Sequence, residues 1–248
     1  MKNIFLFISV LFLFSCEEEE DFSKPFYLDE NGVTIKAKDW VKAGITGEIN
    51  GVTYIAVDDS LLWEYPGNYF AGYRTKDFTS EYPEINEARQ LVTTLVTDME
   101  SLTLSHRKSI NWNVDFSTIG SWDVSNVTTM NSMFDTCNCF NPQSVGENVL
   151  EFNFDTSIPD LTHWDVSNVT NMKDMFSHIY GNNMFNQDIS GWDVSNVTDM
   201  NGMFAGNSKF NQNLSSWDVG KVTNCDGFEP SWGTHWTLPK PNFPISCN

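Results

Sequence analysis

The chain has 248 residues, with 33 acidic against 14 basic side chains, a formal net charge of −19 and a pI near 4.3. So acidic a surface repels nucleic acid and anionic lipid, which excludes both as partners. The length allows a sizeable core in one elongated domain or two small ones, and nine tryptophans and nineteen phenylalanines must be housed in it.

The first fifteen residues, MKNIFLFISVLFLFS, read as a secretion signal: Lys2 supplies the positive start and Ile4 to Phe14 the apolar run. A membrane anchor needs about 18 or more apolar residues, and Cys16 arrives first. Leu13-Phe14-Ser15-Cys16 resembles the lipobox of bacterial lipoproteins, which implies that Cys16 is acylated and becomes the new N-terminus. Plain cleavage with a free Cys16 is the alternative. Loss of residues 1–15 removes one charge, Lys2, and leaves the mature chain at −20. Glu17-Glu18-Glu19-Glu20-Asp21 cannot pack, so residues 16–25 form a solvated tether. This acidic run also resembles the export signal that carries lipoproteins of the Bacteroidota to the outer cell surface. The expected location is therefore the outer membrane, lipid-anchored and facing outward.

Residues 26–89 read as a small β-rich cap. Gly47 to Val57 contains Asn50-Gly51 between β-favouring runs, the usual hairpin signal.

Self-similarity dominates the remainder of the chain. WDVSNVT occurs at Trp122, Trp164 and Trp192, and WDVGKVT at Trp217, at spacings of 42, 28 and 25 residues. The shortest spacing defines the unit, FNQDISGWDVSNVTDMNGMFAGNSK, from Phe185. Three extra residues lie within Ser177 to Asn183, and an insertion spans about 144–160. Gln90 to Met99 aligns with GWDVSNVTDM as a degenerate first unit, with Leu91 at the tryptophan position, so about five coils are expected over residues 90–228.

Ile189, Trp192 and Val194 follow apolar-x-x-apolar-x-apolar, the strand signature of a leucine-rich repeat, with Asp193 pointing outward. Val197, Met200, Met203 and Phe204 come next at helical spacing, with Asn196 as the expected N-cap. A coil is thus a short strand, a tight turn, a one- to two-turn helix and a return loop. No single coil buries its own apolar stripe, so coils must stack and the open ends need caps. The repeat tryptophans and methionines are expected in the core. Asn141, Asn186 and Asn211, from recurring Phe-Asn pairs, are expected to stack as an asparagine ladder.

FNQDISGWDVSNVTDMNGMF closely resembles the units of BspA-like leucine-rich-repeat surface proteins. Phe26 to Ile35 and Trp236 to Phe243 also resemble the flanks of such lipoproteins. The resemblance implies an extracellular solenoid used in adhesion and in host or surface interaction. The residues themselves make it an α+β stack of short strand–turn–helix coils, with the β-rich cap before it and a Pro- and Trp-rich cap, residues 229–248, after it. The degenerate first coil, the insertion and Cys225 in place of methionine depart from the family pattern.

Among the cysteines beyond Cys16, Cys137 and Cys139 are separated by one residue, which makes a strain-free bridge between them awkward. Cys225 stands at a core position of the final coil, and the Pro-rich tail must cover that coil's apolar layer, so Cys225–Cys247 is the candidate disulfide. The rival is two free thiols, Cys225 acting as a small apolar residue.

His106, His163, His178 and His235 show no metal-ligand spacing, and no nucleophile elbow, phosphate loop or EF-hand occurs. Neither catalysis nor a cofactor or metal is expected. Asp123, Asp165, Asp193 and Asp218 are the candidate binding strip. They either bond to local amides and hydroxyls, or form a cation-recognising row with ligands suited to Ca²⁺. Two functions remain: a protein-binding adhesion module, or a glycan-binding lipoprotein using aromatics such as Trp63, Tyr65, Tyr69 and Trp112.

Overall fold

A computed structural model of the chain describes residues 21–64, 90–102, 116–135, 159–177, 185–230 and 236–247. Cys16, Cys137, Cys139, Asn141, Tyr65, Tyr69, Trp112 and the Trp63 side chain lie outside the described set, as does most of the expected insertion.

The chain opens with a short antiparallel hairpin, β1 (Phe26–Leu28) on β2 (Ile35–Ala37), with Phe26 opposite Ala37. Next come β3 (Thr46–Ile49) and β4 (Val52–Asp58), antiparallel and joined at Asn50 and Gly51. Both turn residues have positive φ, 53° and 80°. That geometry matches the right-handed twist of the strands and suits an Asn-Gly pair. Helix α1 (Asp59–Glu64) leaves directly from β4, and Asp58 caps it by accepting the Leu61 amide at 2.9 Å. Strand β5 (Gln90–Leu95) then pairs parallel to β4, giving the order β3-β4-β5.

Alternation along β4 divides the interior. Tyr54 and Ala56 face a small core with Phe26, Ile35, Val41 and Val92, while Ile55 and Val57 face the long core that runs through the repeats. Strand β5 is also the start of the first repeat, so one strand closes the cap and begins the stack. Asp59 secures this junction by accepting the backbone amides of Thr97 and Asp98, at 2.7 and 3.0 Å.

From β5 onward, equivalent residues of successive repeats pair in parallel. Single bridges link Asp98 to Thr129, Thr129 to Asn171, Asn171 to Asp199 and Asp199 to Asn224. One residue earlier, the amides of Thr128, Thr170, Thr198 and Thr223 each donate 2.8 Å bonds to the carbonyls of Thr97, Thr128, Thr170 and Thr198. Each threonine hydroxyl donates to the same carbonyl, at 3.1–3.2 Å. Inside the stack, Val197, Met200, Met203 and Phe204 are fully buried, as are their counterparts Val169, Met172, Met175 and Phe176. Each such burial contributes about 1.5–3 kcal/mol.

Local conformation departs from the expected coil in two places. Among the described residues, the Trp-Asp-Val segments of the later repeats form no strand. Their aspartates accept the amide two residues on, and Val197 donates to the Val194 carbonyl at 2.9 Å, so those groups are used within the turn. Strand β5 is extended because β4 lies beside it. Nor does the Val197–Phe204 stretch form a helix. The Met200 amide donates across to Asn224 at 2.8 Å, and Gly202, at φ 61°, breaks the helical path. The same left-handed position recurs at Ser101, Ser132, Asp174 and Gly227, with φ between 53° and 63°. Spacings of three and four here reflect a chain turning back on itself at each coil.

At the far end the tail lies on the last coil. Leu214 donates to the Pro239 carbonyl at 2.9 Å, and the Trp236 indole donates to the Gln212 carbonyl at 2.8 Å. Trp236 meets Phe204 and Phe210 edge-on, and Phe243 meets Phe228 the same way. Cys225 and Cys247 are joined in a disulfide with Cα atoms 4.9 Å apart.

Candidate binding surface

Burial sorts each Trp-Asp-Val-Ser-Asn-Val-Thr phrase: tryptophan and both valines face inward, and the polar residues largely face outward. Trp192 is 4% exposed, stacked on Trp164 at 6.4 Å, and donates its indole N–H to the Leu161 carbonyl at 3.1 Å. Trp217 does the same to Ile189 at 3.1 Å.

The four aspartates of the expected strip do not share one environment. Asp165, Asp193 and Asp218 are exposed on consecutive coils. Their Oδ1 atoms accept the amides of Ser167, Ser195 and Gly220 at 3.1, 3.0 and 3.0 Å. Asp193 is held below the usual carboxylate range by the Ser195 hydroxyl, then by the Ser195 amide, with a lesser pull from Lys221. Asp123 leaves the strip. It is 2% exposed, accepts the Ser125 amide and hydroxyl through Oδ1, and finds no partner for Oδ2 among the described residues. Lys36, which pairs with Asp29 at 3.2 Å, feels the Asp123 charge as well. The N-terminal cap covers the strip's first member.

The asparagines serve the stack. Asn126, Asn168 and Asn196 each donate from Nδ2, at 2.7 Å, to the carbonyls of Thr94, Ser125 and Ser167 in the preceding coil. Asn196 is therefore an inter-coil clamp and not a helix cap. In the last coil Lys221 replaces asparagine and its Nζ donates to Asn196 Oδ1 at 2.6 Å. Asn186 Oδ1 accepts the Asn211 amide at 2.8 Å, and Asn211 Oδ1 accepts those of Thr237 and Leu238 at 2.8 and 3.1 Å. A third rank, Asp98, Thr129, Asn171, Asp199 and Asn224, runs along the bridges, each side chain accepting the amide two residues on.

Sequence reading overlooked the threonine column, although its signal, a threonine in every unit from Thr97 to Thr223, was present. The amides of Asn126, Asn168 and Asn196 and the threonine hydroxyls are spent between coils, while the exposed carboxylates keep lone pairs outward. The face is anionic and rich in acceptors, and suits cationic or hydroxyl-bearing groups.

Among the described residues, no group of three or more His, Cys, Asp or Glu converges to hold a metal ion, and no helix is long and apolar enough to cross a membrane. His163 Nε2 lies 2.6 Å from the Gly120 carbonyl. Comparison with curated proteins and with solved structures gives no match. Residues 76–147 and 147–228, which contain the stacked repeats, each match the family model described as "Mycoplasma protein of unknown function, DUF285", and the chain belongs to that family.

Proposed function

We propose that this chain is a cell-surface lipoprotein of BspA-like type, anchored in the outer membrane through Cys16, whose leucine-rich-repeat solenoid binds an extracellular protein. The observation that carries the reading is the face bearing Asp165, Asp193 and Asp218. Its scaffold donors are spent between coils, and its acceptors repeat outward at fixed positions. Repeat stacks that bury their apolar side chains typically work through such extended faces. The net charge of −19 favours a basic partner and fast, salt-sensitive association.

The test is an interaction screen of residues 22–248 against secreted and matrix proteins. Hits are then remeasured with Asp165→Lys and Asp193→Lys together. The double variant should slow association about tenfold or more at low salt, with the melting curve unchanged. A hit whose association rate ignores both charges removes this face from the interface.

A further inference from the structure

Between the last two coils and the C-terminal tail lies a depression of about 270 Å³, lined by Asp188, Ser190, Gln212, Asn213, Ser215 and Leu238. Its polar walls come from equivalent stretches of consecutive repeats, Phe-Asn-Gln-Asp-Ile-Ser from Phe185 and Phe-Asn-Gln-Asn-Leu-Ser from Phe210. The apolar members, Phe185, Ile189, Phe210 and Leu214, are buried and hold both backbones in place.

The polar side chains are held as firmly. Gln212 Nε2 donates to the Asn186 carbonyl at 2.7 Å. Asn213 Oδ1 accepts the Ser215 amide and hydroxyl at 3.1 and 2.8 Å, which fixes the amide plane. Its Nδ2 donates to nothing among the described residues. Asp188 accepts the Ser190 amide at 3.1 Å, and a carboxylate has lone pairs beyond those that Ser190 takes. The Ser190 hydroxyl, then its amide, hold Asp188 below the ordinary carboxylate range, so it is ionised at neutral pH. Leu238 is 42% exposed beside them, its backbone tied to Asn211.

We infer that this depression binds one unit of a neutral polysaccharide, a ligand class that makes the proposed binding module a glycan binder at this end of the stack. The inference rests on the reading of the chain as a binding protein. Vicinal sugar hydroxyls each donate and accept. The Asp188 carboxylate takes their O–H donations, and Asn213 Nδ2 gives N–H groups to their oxygens. Leu238 meets the apolar C–H face of the ring. Because consecutive coils carry aspartate and then asparagine at one position, acceptor and donor stand side by side. Uronate or sulfated sugars are repelled by Asp188 and by the net charge of −19. The volume falls below that of a drug-sized cleft, at about 300 Å³ and above, and fits a single ring of a longer chain.

The experiment is affinity electrophoresis of the full chain, in mild detergent, through gels containing a mannan, a xylan, a β-1,3-glucan or, as acidic control, alginate. At least one neutral polymer should retard the protein and alginate should not. Asn213→Asp keeps the oxygen that accepts from Ser215 but removes the N–H donors. It should raise the dissociation constant at least tenfold, with an unchanged thermal melt. Asp188→Asn, likewise able to keep its turn, should weaken binding too. No retardation by any neutral polymer, or retardation that Asn213→Asp leaves intact, overturns the assignment. Proteins captured in the screen without polysaccharide binding would remove this site while leaving the binding module in place. Polysaccharide binding sensitive to Asn213→Asp with an empty protein screen would keep this site and remove the protein partner instead.

Discussion

Replacing Trp192 with alanine tests whether the repeat tryptophans are core. The indole is 4% exposed, lies nearly parallel to Trp164 at 6.4 Å and meets Phe176 at 6.2 Å. A tryptophan buries up to about 250 Å², which at about 25 cal/mol/Å² is roughly 6 kcal/mol. Compaction of the unfolded chain lowers this by about 10–40%. The Leu161 carbonyl also loses its 3.1 Å donor, worth about 1 kcal/mol. The sum, about 4.6–6.4 kcal/mol, is an upper bound because alanine keeps part of that burial, and it lies just above the roughly 3–5 kcal/mol measured for such truncations; burial outweighs the hydrogen bond several-fold. Trp192→Phe, which keeps a ring in the stack, should therefore cost about half as much or less. Urea titration followed by circular dichroism gives both values by linear extrapolation. A Trp192→Ala change within about 0.5 kcal/mol of wild type would place the indole on an exposed platform. Equal costs for alanine and phenylalanine would mean that the hydrogen bond outweighs burial.

Cys247→Ser should cost about 3 kcal/mol, because the bridge closes a loop of sequence separation 22. Limited proteolysis should then cut first in the tail, and an unchanged cutting pattern would show that Leu214, Gln212 and Asn211 alone hold it. Asp174 sits at φ 53°, and burial first, then Asp199, push its carboxyl above the ordinary range against the pull of Lys173. Asp174→Asn should stabilise at pH 7, on the order of 0.5–2 kcal/mol. A raised acid opposes folding above its folded pKa and ceases to do so as pH falls through it, so the variant's advantage should shrink in acid. An advantage that is constant with pH would point to backbone strain alone. Acylation of Cys16 should give fatty-acid labelling of wild type and none of Cys16→Ala, equal labelling of both being the result against it.

Repetition makes some features of this chain legible in its sequence and hides others. Trp192, Val194, Val197, Met200, Met203 and Phe204 are buried because apolar phase is a direct property of the residues. Asn50-Gly51 marked the hairpin because few other pairs accept two consecutive positive φ values. Helix and strand within the coil were not legible, because the period of three and four arises equally from a turn that returns side chains inward. The destination of the amides distinguishes the two. Those of Met172 and Met200 leave their own coil for Asp199 and Asn224, partners that exist only once coils stack. The outward strip was legible as a row of aspartates, but not the loss of Asp123 from it, which depends on the cap and on Lys36. The depression at Asp188 and Asn213 was hidden because Phe-Asn-Gln reads as scaffold, and the difference between the two units lies one residue beyond it.

The stack also predicts how length is tolerated. The threonine hydroxyls reach the preceding carbonyl across sequence separations of 31, 42, 28 and 25 residues, yet every distance falls within 3.1–3.2 Å. The columns therefore ignore what the chain does between them, provided the core phrase re-enters in phase. Closing a longer loop costs entropy only logarithmically, so the separation of 42 against 28 is worth roughly 0.4 kcal/mol. Removal of residues 144–157 brings the spacing from Trp122 to Trp164 down to 28. It spares Pro159 and Asp160, whose atoms lie against Gly120, and the Pro159 carbonyl that accepts from Gln187. Stability of the shortened chain should stay within about 0.5 kcal/mol of wild type, measured by urea unfolding. A loss above about 2 kcal/mol, or a second unfolding transition, would show that the inserted residues hold the second and third coils together and that the columns alone do not.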